Sequence, residues 1–306
     1  MDHKLNKVRT PSLGGIYNWP YLLLVLATLF WSGNFVLARA VRLDVPPVGL
    51  AFWRWLGSSL LVMGFAWPHL RRDWPIIIGH WRIILLLSVL GITLFNTLVY
   101  TGLQFTTAIN AVLMQSTMPV IIVVMSYLFF GERVTPVQTI GVALSLAGAL
   151  AIVAQGNVQT LLGLSLNAGD ALVFIAVVGY AAYSALLRQR PAIHPLSFVA
   201  VTFIWGVGVL SPFYLWEHLS GRVMVFDTVT LLSVAYVAIF PSILAYLCFN
   251  RGVELVGANR AGLFIHLMPV FGSLMAIVFL GESLHWYHGV GIVLILSGII
   301  LATRRK

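Results

Sequence analysis

Long hydrophobic runs, divided by short charged or turn-forming breaks, set the pattern of this chain. Positions 10–38, 83–131, 134–169, 191–216, 228–250, 261–281 and 283–303 carry no Asp, Glu, Lys or Arg. A helix crosses a bilayer with about 20 apolar residues, so the longest of these runs hold two crossings each. The breaks fall at Pro46-Pro47, Arg71-Arg72-Asp73-Trp74-Pro75, Pro136, Gln155-Gly156-Asn157, Pro191 with Pro195, and Gly221-Arg222, where turn formers and charges coincide. The pattern predicts an all-α integral membrane protein of ten helices, over 19–40, 46–68, 82–103, 107–130, 136–155, 166–188, 194–217, 228–250, 259–281 and 284–303. A membrane barrel would instead show strands of about 10 residues with alternating polarity. Helices 3 and 4, 4 and 5, 8 and 9, and 9 and 10 are joined so tightly that each pair must be antiparallel.

The pattern also repeats. Residues 99–148, moved forward by 150 positions, land on 249–298 with 15 identities in 50 pairs. Met118-Pro119-Val120 returns as Met268-Pro269-Val270, and Gly131-Glu132 as Gly281-Glu282. Apolar composition alone would match Leu and Val, but would not hold Pro, Gly and Glu in register. The chain is therefore expected to divide into a first five-helix repeat over 19–155 and a second over 166–303. A cytoplasmic segment, 1–18, precedes them, and a basic end, 304–306, follows. An odd number of helices per repeat makes the second enter the membrane from the opposite side. Inverted repeats are typical of secondary carriers, whose substrate site lies near the midplane between the halves.

Composition sharpens this picture. The chain is 60% hydrophobic and 9% charged, against about 25% charged for a soluble domain. The net charge of +9 suggests a polyanion partner until its placement is followed. With the N-terminus inside, 14 of the 18 Lys and Arg lie on the cytoplasmic side, which is the positive-inside rule and needs no nucleic acid. Both termini are expected in the cytoplasm. The apolar stretch from Trp19 to Ala38 is too long for a signal-peptide core, and the lone Cys248 excludes an internal disulfide.

Polar side chains at mid-membrane depth face a cavity or a partner helix. Asn96 and Tyr100 share one face of helix 3, as Tyr246 and Asn250 share one face of helix 8. Across the 150-residue offset the amide and the phenol exchange places. These are two walls of one cavity, or bonds between helices. Gln115 precedes Pro119 and His266 precedes Pro269. Each proline frees a carbonyl that a site or a neighbour must satisfy, or simply kinks the helix. His266 is left with three roles: binding substrate, carrying a proton, or bonding across the bundle. Trp31 and Asn34 in helix 1 align with Tyr180 and Tyr183 in helix 6. Their aromatic faces suit an amphiphilic substrate or the lipid interface. Trp53, Trp55, Trp67, Trp74 and Trp81 read as interfacial belt. Gly91, aligned with Pro241, is a candidate hinge, as are the two helix prolines. Glu132 and Glu282 read as caps of helices 5 and 10. Gly141, Gly148, Gly291 and Gly298 permit close helix contact within a scaffold or at a dimer face.

The function classes narrow by absence from the sequence. There is no Gly-x-Ser-x-Gly, HExxH or Walker motif, so neither an intramembrane enzyme nor an ATPase is indicated. No metal or other cofactor is expected. No Asp or Glu falls in mid-membrane, where a carrier of organic cations needs one. Only Arg54 is a deep cation, too few for a sugar phosphate. A channel would differ by flux that does not saturate.

Trp31-Ser32-Gly33-Asn34-Phe35, Arg54 and the two Pro-x11-Gly-Glu blocks resemble the EamA branch of the drug/metabolite transporter superfamily. Within it, length and aromatic richness are most similar to the bacterial aromatic amino-acid exporters of the YddG type. Phe203 stands opposite Arg54 and departs from the repeat. The resemblance implies ten helices in two inverted five-helix repeats, placed in the bacterial inner membrane. It implies export of small neutral or zwitterionic metabolites, amino acids above all, by alternating access, with nucleotide sugars or other anionic metabolites as the alternative cargo. The partners implied are a small-molecule substrate and the lipid bilayer, with no nucleic acid, in a monomer or homodimer.

Overall fold

The computed structural model describes residues 15–41, 45–163, 166–280 and 283–304. Within them the hydrophobic runs become helices: α1 (Pro20–Val41), α2 (Pro47–Gly79), α3 (Trp81–Gly102), α4 (108–130), α5 (Pro136–Val153), α6 (Ala168–Gln189), α7 (Pro195–Leu219), α8 (Thr228–Val256), α9 (258–280) and α10 (Trp286–Thr303). Among the described residues, α2 to α8 and α10 are long and apolar enough, by composition alone, to span a bilayer. A single helical turn, Val158–Leu162, lies between α5 and α6. The described residues contain no strand.

Two helix ends differ from the sequence pattern, those of α2 and α8. The expected break at residues 71–75 is absent, and α2 continues through Pro68 and Pro75 to Gly79. Each proline removes one helical N–H, which a long helix tolerates where neighbouring groups compensate. The reason for continuing lies in α7. Asp73 accepts a hydrogen bond at 2.9 Å from the backbone N–H of His194, the residue that begins α7. Glu217, near the other end of α7, accepts from Val48 N–H at 3.2 Å and Gly49 N–H at 2.6 Å at the start of α2. The antiparallel pair α2–α7 is thus capped at both ends by the partner's carboxylate, where helix N-termini favour an anion. Beside Asp73 the rings of His69 and His194 stack 3.6 Å apart. Burial, and secondly the His69 ring, hold the His194 imidazole below its usual value against the opposing pull of Asp73.

Side-chain caps of the ordinary kind start several other helices. Thr135 and Gln138 form a capping box at α5, and Asn167 and Asp170 form another at α6. Glu132, expected to cap α5, does not. Helix α4 ends at left-handed Gly131, the Glu132 N–H turns back to the Ser126 carbonyl at 3.3 Å, and its carboxylate lies 3.8 Å from Arg188. Three further residues separate it from the first turn of α5, which Thr135 already serves. Glu282 lies outside the described residues.

Helices α5 and α10 form a separate seam. A Cβ placed on Gly141 would come within 2.6 Å of the Gly298 carbonyl, and one on Gly148 within 2.7 Å of the Gly291 carbonyl. The four glycines therefore face one another inside the molecule, which spends that face on the scaffold rather than on a dimer contact. The remaining eight helices enclose the centre. The acidic side chains described lie towards helix ends, where they pair with arginines, as Glu254 does with Arg190 at 2.6 Å and Arg251 at 2.9 Å, or cap helices.

Candidate functional site

The site begins with two irregular turns. At Val89–Leu94 in α3 and Ile239–Leu244 in α8 the chain takes one π-helical turn. The two segments are offset by 150 positions and carry Gly91 and Pro241 at the same place. A π-turn moves carbonyls out of the α ladder and offers them to side chains. The Gly91 carbonyl accepts the Tyr246 hydroxyl hydrogen bond. The Pro241 carbonyl accepts from Trp31 Nε1 at 3.1 Å and from Arg54 Nη2 at 3.1 Å. Each repeat thus places a backbone oxygen where the other repeat supplies a donor. Gly91 also leaves room for the Tyr183 ring, since a Cβ there would lie 2.6 Å from it.

Arg54 is the hub. It is 1% exposed, and its guanidinium reaches three helices besides its own. Nε donates to Ser242 Oγ at 2.6 Å, and Nη1 to Asn34 Oδ1 at 3.0 Å, Asn96 Oδ1 at 3.0 Å and Tyr100 Oη at 2.8 Å. Ser242 in turn donates to the Val237 carbonyl at 2.7 Å. Trp55 lies under the guanidinium at 4.7 Å and is fully buried against Phe203 and Tyr246. Trp55 is therefore core and not belt, whereas Trp67, Trp74 and Trp81 are about half exposed.

Two matched bridges flank this hub. Tyr100 of α3 donates to Asn34 of α1 at 2.9 Å, and Tyr183 of α6 to Asn250 of α8 at 2.9 Å. Asn34 aligns with Tyr183 and Tyr100 with Asn250, so each repeat builds the same phenol–amide bond from opposite helices. Only the first bridge meets a cation, because Phe203 occupies the position of Arg54 in the second repeat and is buried.

Between the repeats lies one cavity. Trp31, Asn34, Arg54, Phe95, Asn96, Gln115 and Met118 line it from the first repeat, and Tyr180, Tyr246, Ile265 and Met268 from the second. Its volume is about 20 Å³, room for water rather than for a metabolite. Tyr180 stands edge-on to Trp31 at 5.7 Å and tilted on Phe95 at 4.8 Å, so aromatic rings form much of the wall. Pro119 and Pro269 remove the N–H groups that would reach the carbonyls of Gln115 and Ile265, both of which line the space.

Of the residues singled out in the sequence, Trp31, Asn34, Asn96, Gln115, Tyr180 and Tyr246 meet at this cavity. Tyr100, Tyr183 and Asn250 stand behind it as bridges. His266 lies elsewhere. It is wholly buried, with Nδ1 2.8 Å from Ser145 Oγ and Nε2 2.9 Å from the Ser116 carbonyl. The carbonyl can only accept, so Nε2 donates, and the ring ties α9 to α4 and α5. That is the cross-bundle role among the three the sequence leaves open. Sequence reasoning noted Arg54 as deep but not as a site residue. The available signal was a single charged side chain, Arg54, in the expected second helix over 46–68.

Comparison with known proteins agrees with this architecture. The model of the EamA-like transporter family matches residues 18–154 and again 167–304. The chain belongs to that family, and it is a multi-pass membrane transporter. Among its relatives are an uncharacterized transporter, YyaM, of Bacillus subtilis strain 168, 25% identical over 92% of this chain and 93% of its own, and an uncharacterized transporter of Archaeoglobus fulgidus, 27% identical over 94% and 98%. A solved crystal structure superposes with a TM-score of 0.73 at 19% identity, covering 93% of this chain and 96% of that one. At that identity the likeness concerns the fold alone.

Proposed function

We propose that the protein is a secondary transporter that exports small neutral or zwitterionic metabolites, amino acids including aromatic ones foremost, from the bacterial cytoplasm. The observation that carries this is the aromatic-walled, largely apolar cavity between the two repeats, to which both contribute and beside which polar side chains of both gather. In an inverted-repeat carrier that is where substrate sits, and rocking of one repeat against the other exposes it to each side in turn. The π-turns at Gly91 and Pro241 and the proline points at Pro119 and Pro269 are where the helices yield. Arginine-rich helix ends, among them Arg188, Arg190 and Arg251, face the cytoplasm with both termini. A nucleotide sugar is disfavoured, because Arg54 is the one Lys or Arg among the residues lining the cavity.

Uptake of labelled phenylalanine and tryptophan into proteoliposomes, with and without a pH gradient, tests this. Saturable uptake that other neutral amino acids inhibit is the expected result, and the gradient then decides between facilitated and proton-coupled movement. Folded protein that moves no amino acid contradicts the substrate assignment.

A further inference from the structure

We infer that Arg54 is the receptor for a carboxylate, so that the site selects monocarboxylate substrates by their anionic end and not by an amine. This deepens the transporter reading and rests on it. A guanidinium removed from water at this depth is costly unless an anion compensates it. Arg54 has none among the described residues. Its partners are a serine hydroxyl, two amide oxygens, a phenol and a proline carbonyl, all neutral.

The described carboxylates are committed elsewhere. Asp73 and Glu217 hold helix starts, Asp170 takes Thr106 Oγ1 at 2.5 Å and the Asn167 N–H at 2.9 Å, Asp227 caps α8, and Glu132 and Glu254 sit beside arginines. The positive charge thus stands alone in the wall of the cavity.

The remaining hydrogen-bond capacity points the same way. Neutral acceptors take Nε and both hydrogens of Nη1 without neutralising the charge, and Nη2 meets one acceptor, the Pro241 carbonyl, among the described residues, which leaves one N–H over. Gln115, which also lines the cavity, is 5% exposed and its Nε2 donor has no partner. An arginine and an unpartnered amide N–H lining one small space call for an oxygen anion placed between them. No carboxylate lines the cavity to receive an ammonium group. An amine on the substrate has only neutral partners there, and the aromatic wall takes the apolar part.

The alternative is that Arg54 is only a staple between repeats, joining α2 to Ser242 and Pro241. The two roles separate in equilibrium binding to purified protein, read by tryptophan fluorescence. The probes are phenylalanine, 3-phenylpropionate, phenylalaninamide and phenethylamine, with aliphatic amino, keto and hydroxy acids alongside. The expected order places both carboxylates ahead of the amide and the amine by at least about 30-fold, the scale for losing one partner of a buried charge pair. Arg54→Gln should bring phenylalanine and its amide to parity, while Arg54→Lys, which keeps the charge but not the planar donor set, keeps part of the preference. The wild-type series decides the matter even where a variant fails to fold. Equal binding of amide and acid, an acid preference that survives in folded Arg54→Gln, or no binding by any carboxylate overturns the assignment. Binding of the keto and hydroxy acids and of 3-phenylpropionate, with the amino acids excluded, supports Arg54 as receptor and rejects the amino-acid reading alone.

Discussion

At the scale of single residues, the centre of this molecule is a set of neutral oxygens gathered round one cation. The two phenol–amide bridges differ in that one respect. Tyr100–Asn34 is drawn into the Arg54 network, whereas Tyr183–Asn250 is a bond between two neutral groups. Tyr183→Phe removes a neutral buried bond and leaves the Asn250 amide, already missing a partner at Nδ2, without one at Oδ1 as well. A stability loss of about 1–3 kcal/mol is expected, the cost of an orphaned buried polar group, visible as earlier thermal unfolding in detergent. An unchanged midpoint would mean that the bridge contributes nothing to the fold. The residue types at 34, 96, 100, 183, 246 and 250 were readable as polar groups at matching depths. The pairing was not, because an i, i+4 spacing shows which residues share a face and says nothing of the helix opposite. Arg54 was hidden for the same reason, since its acceptors arrive from α1, α3 and α8.

At the scale of elements, the helices themselves were largely legible. Hydropathy and breakers place eight of the ten helices within a few residues at both ends; α2 runs 11 residues past its expected end at Pro68, to Gly79, and α8 about two turns past its own. The exceptions have physical causes. Helix α2 runs on through two prolines because its far end holds the start of α7, a tertiary contact no local signal carries. The π-turns at Val89–Leu94 and Ile239–Leu244 left only the Gly91/Pro241 alignment as a trace. The crossed caps of α2 and α7 give a testable energy. Glu217→Ala releases the Val48 and Gly49 N–H groups at the start of α2 and should cost about 1–2 kcal/mol. Glu217→Gln, which keeps an acceptor oxygen but no charge, should cost less. Thermal unfolding of both variants measures this, and equal stability of all three proteins would show that α2 is capped without help from α7.

At the scale of the whole molecule, two family repeats of five helices meet over a cavity too small for a metabolite. The glycine-sealed pair α5–α10 stands apart from it, and the other eight helices supply its walls and their support. Such a site must open to work, and each repeat brings its own freed carbonyl and its own proline to the meeting point. The central claim is that this space is where substrate passes, reached from one side and then the other. The most direct measurement is thiol labelling of Gln115→Cys in a Cys248→Ala background, in sealed vesicles of each orientation, with a membrane-impermeant maleimide. Labelling from both faces, slowed by saturating transported substrate, is the predicted result. Labelling from neither face, or labelling that substrate leaves unaltered, would contradict the account.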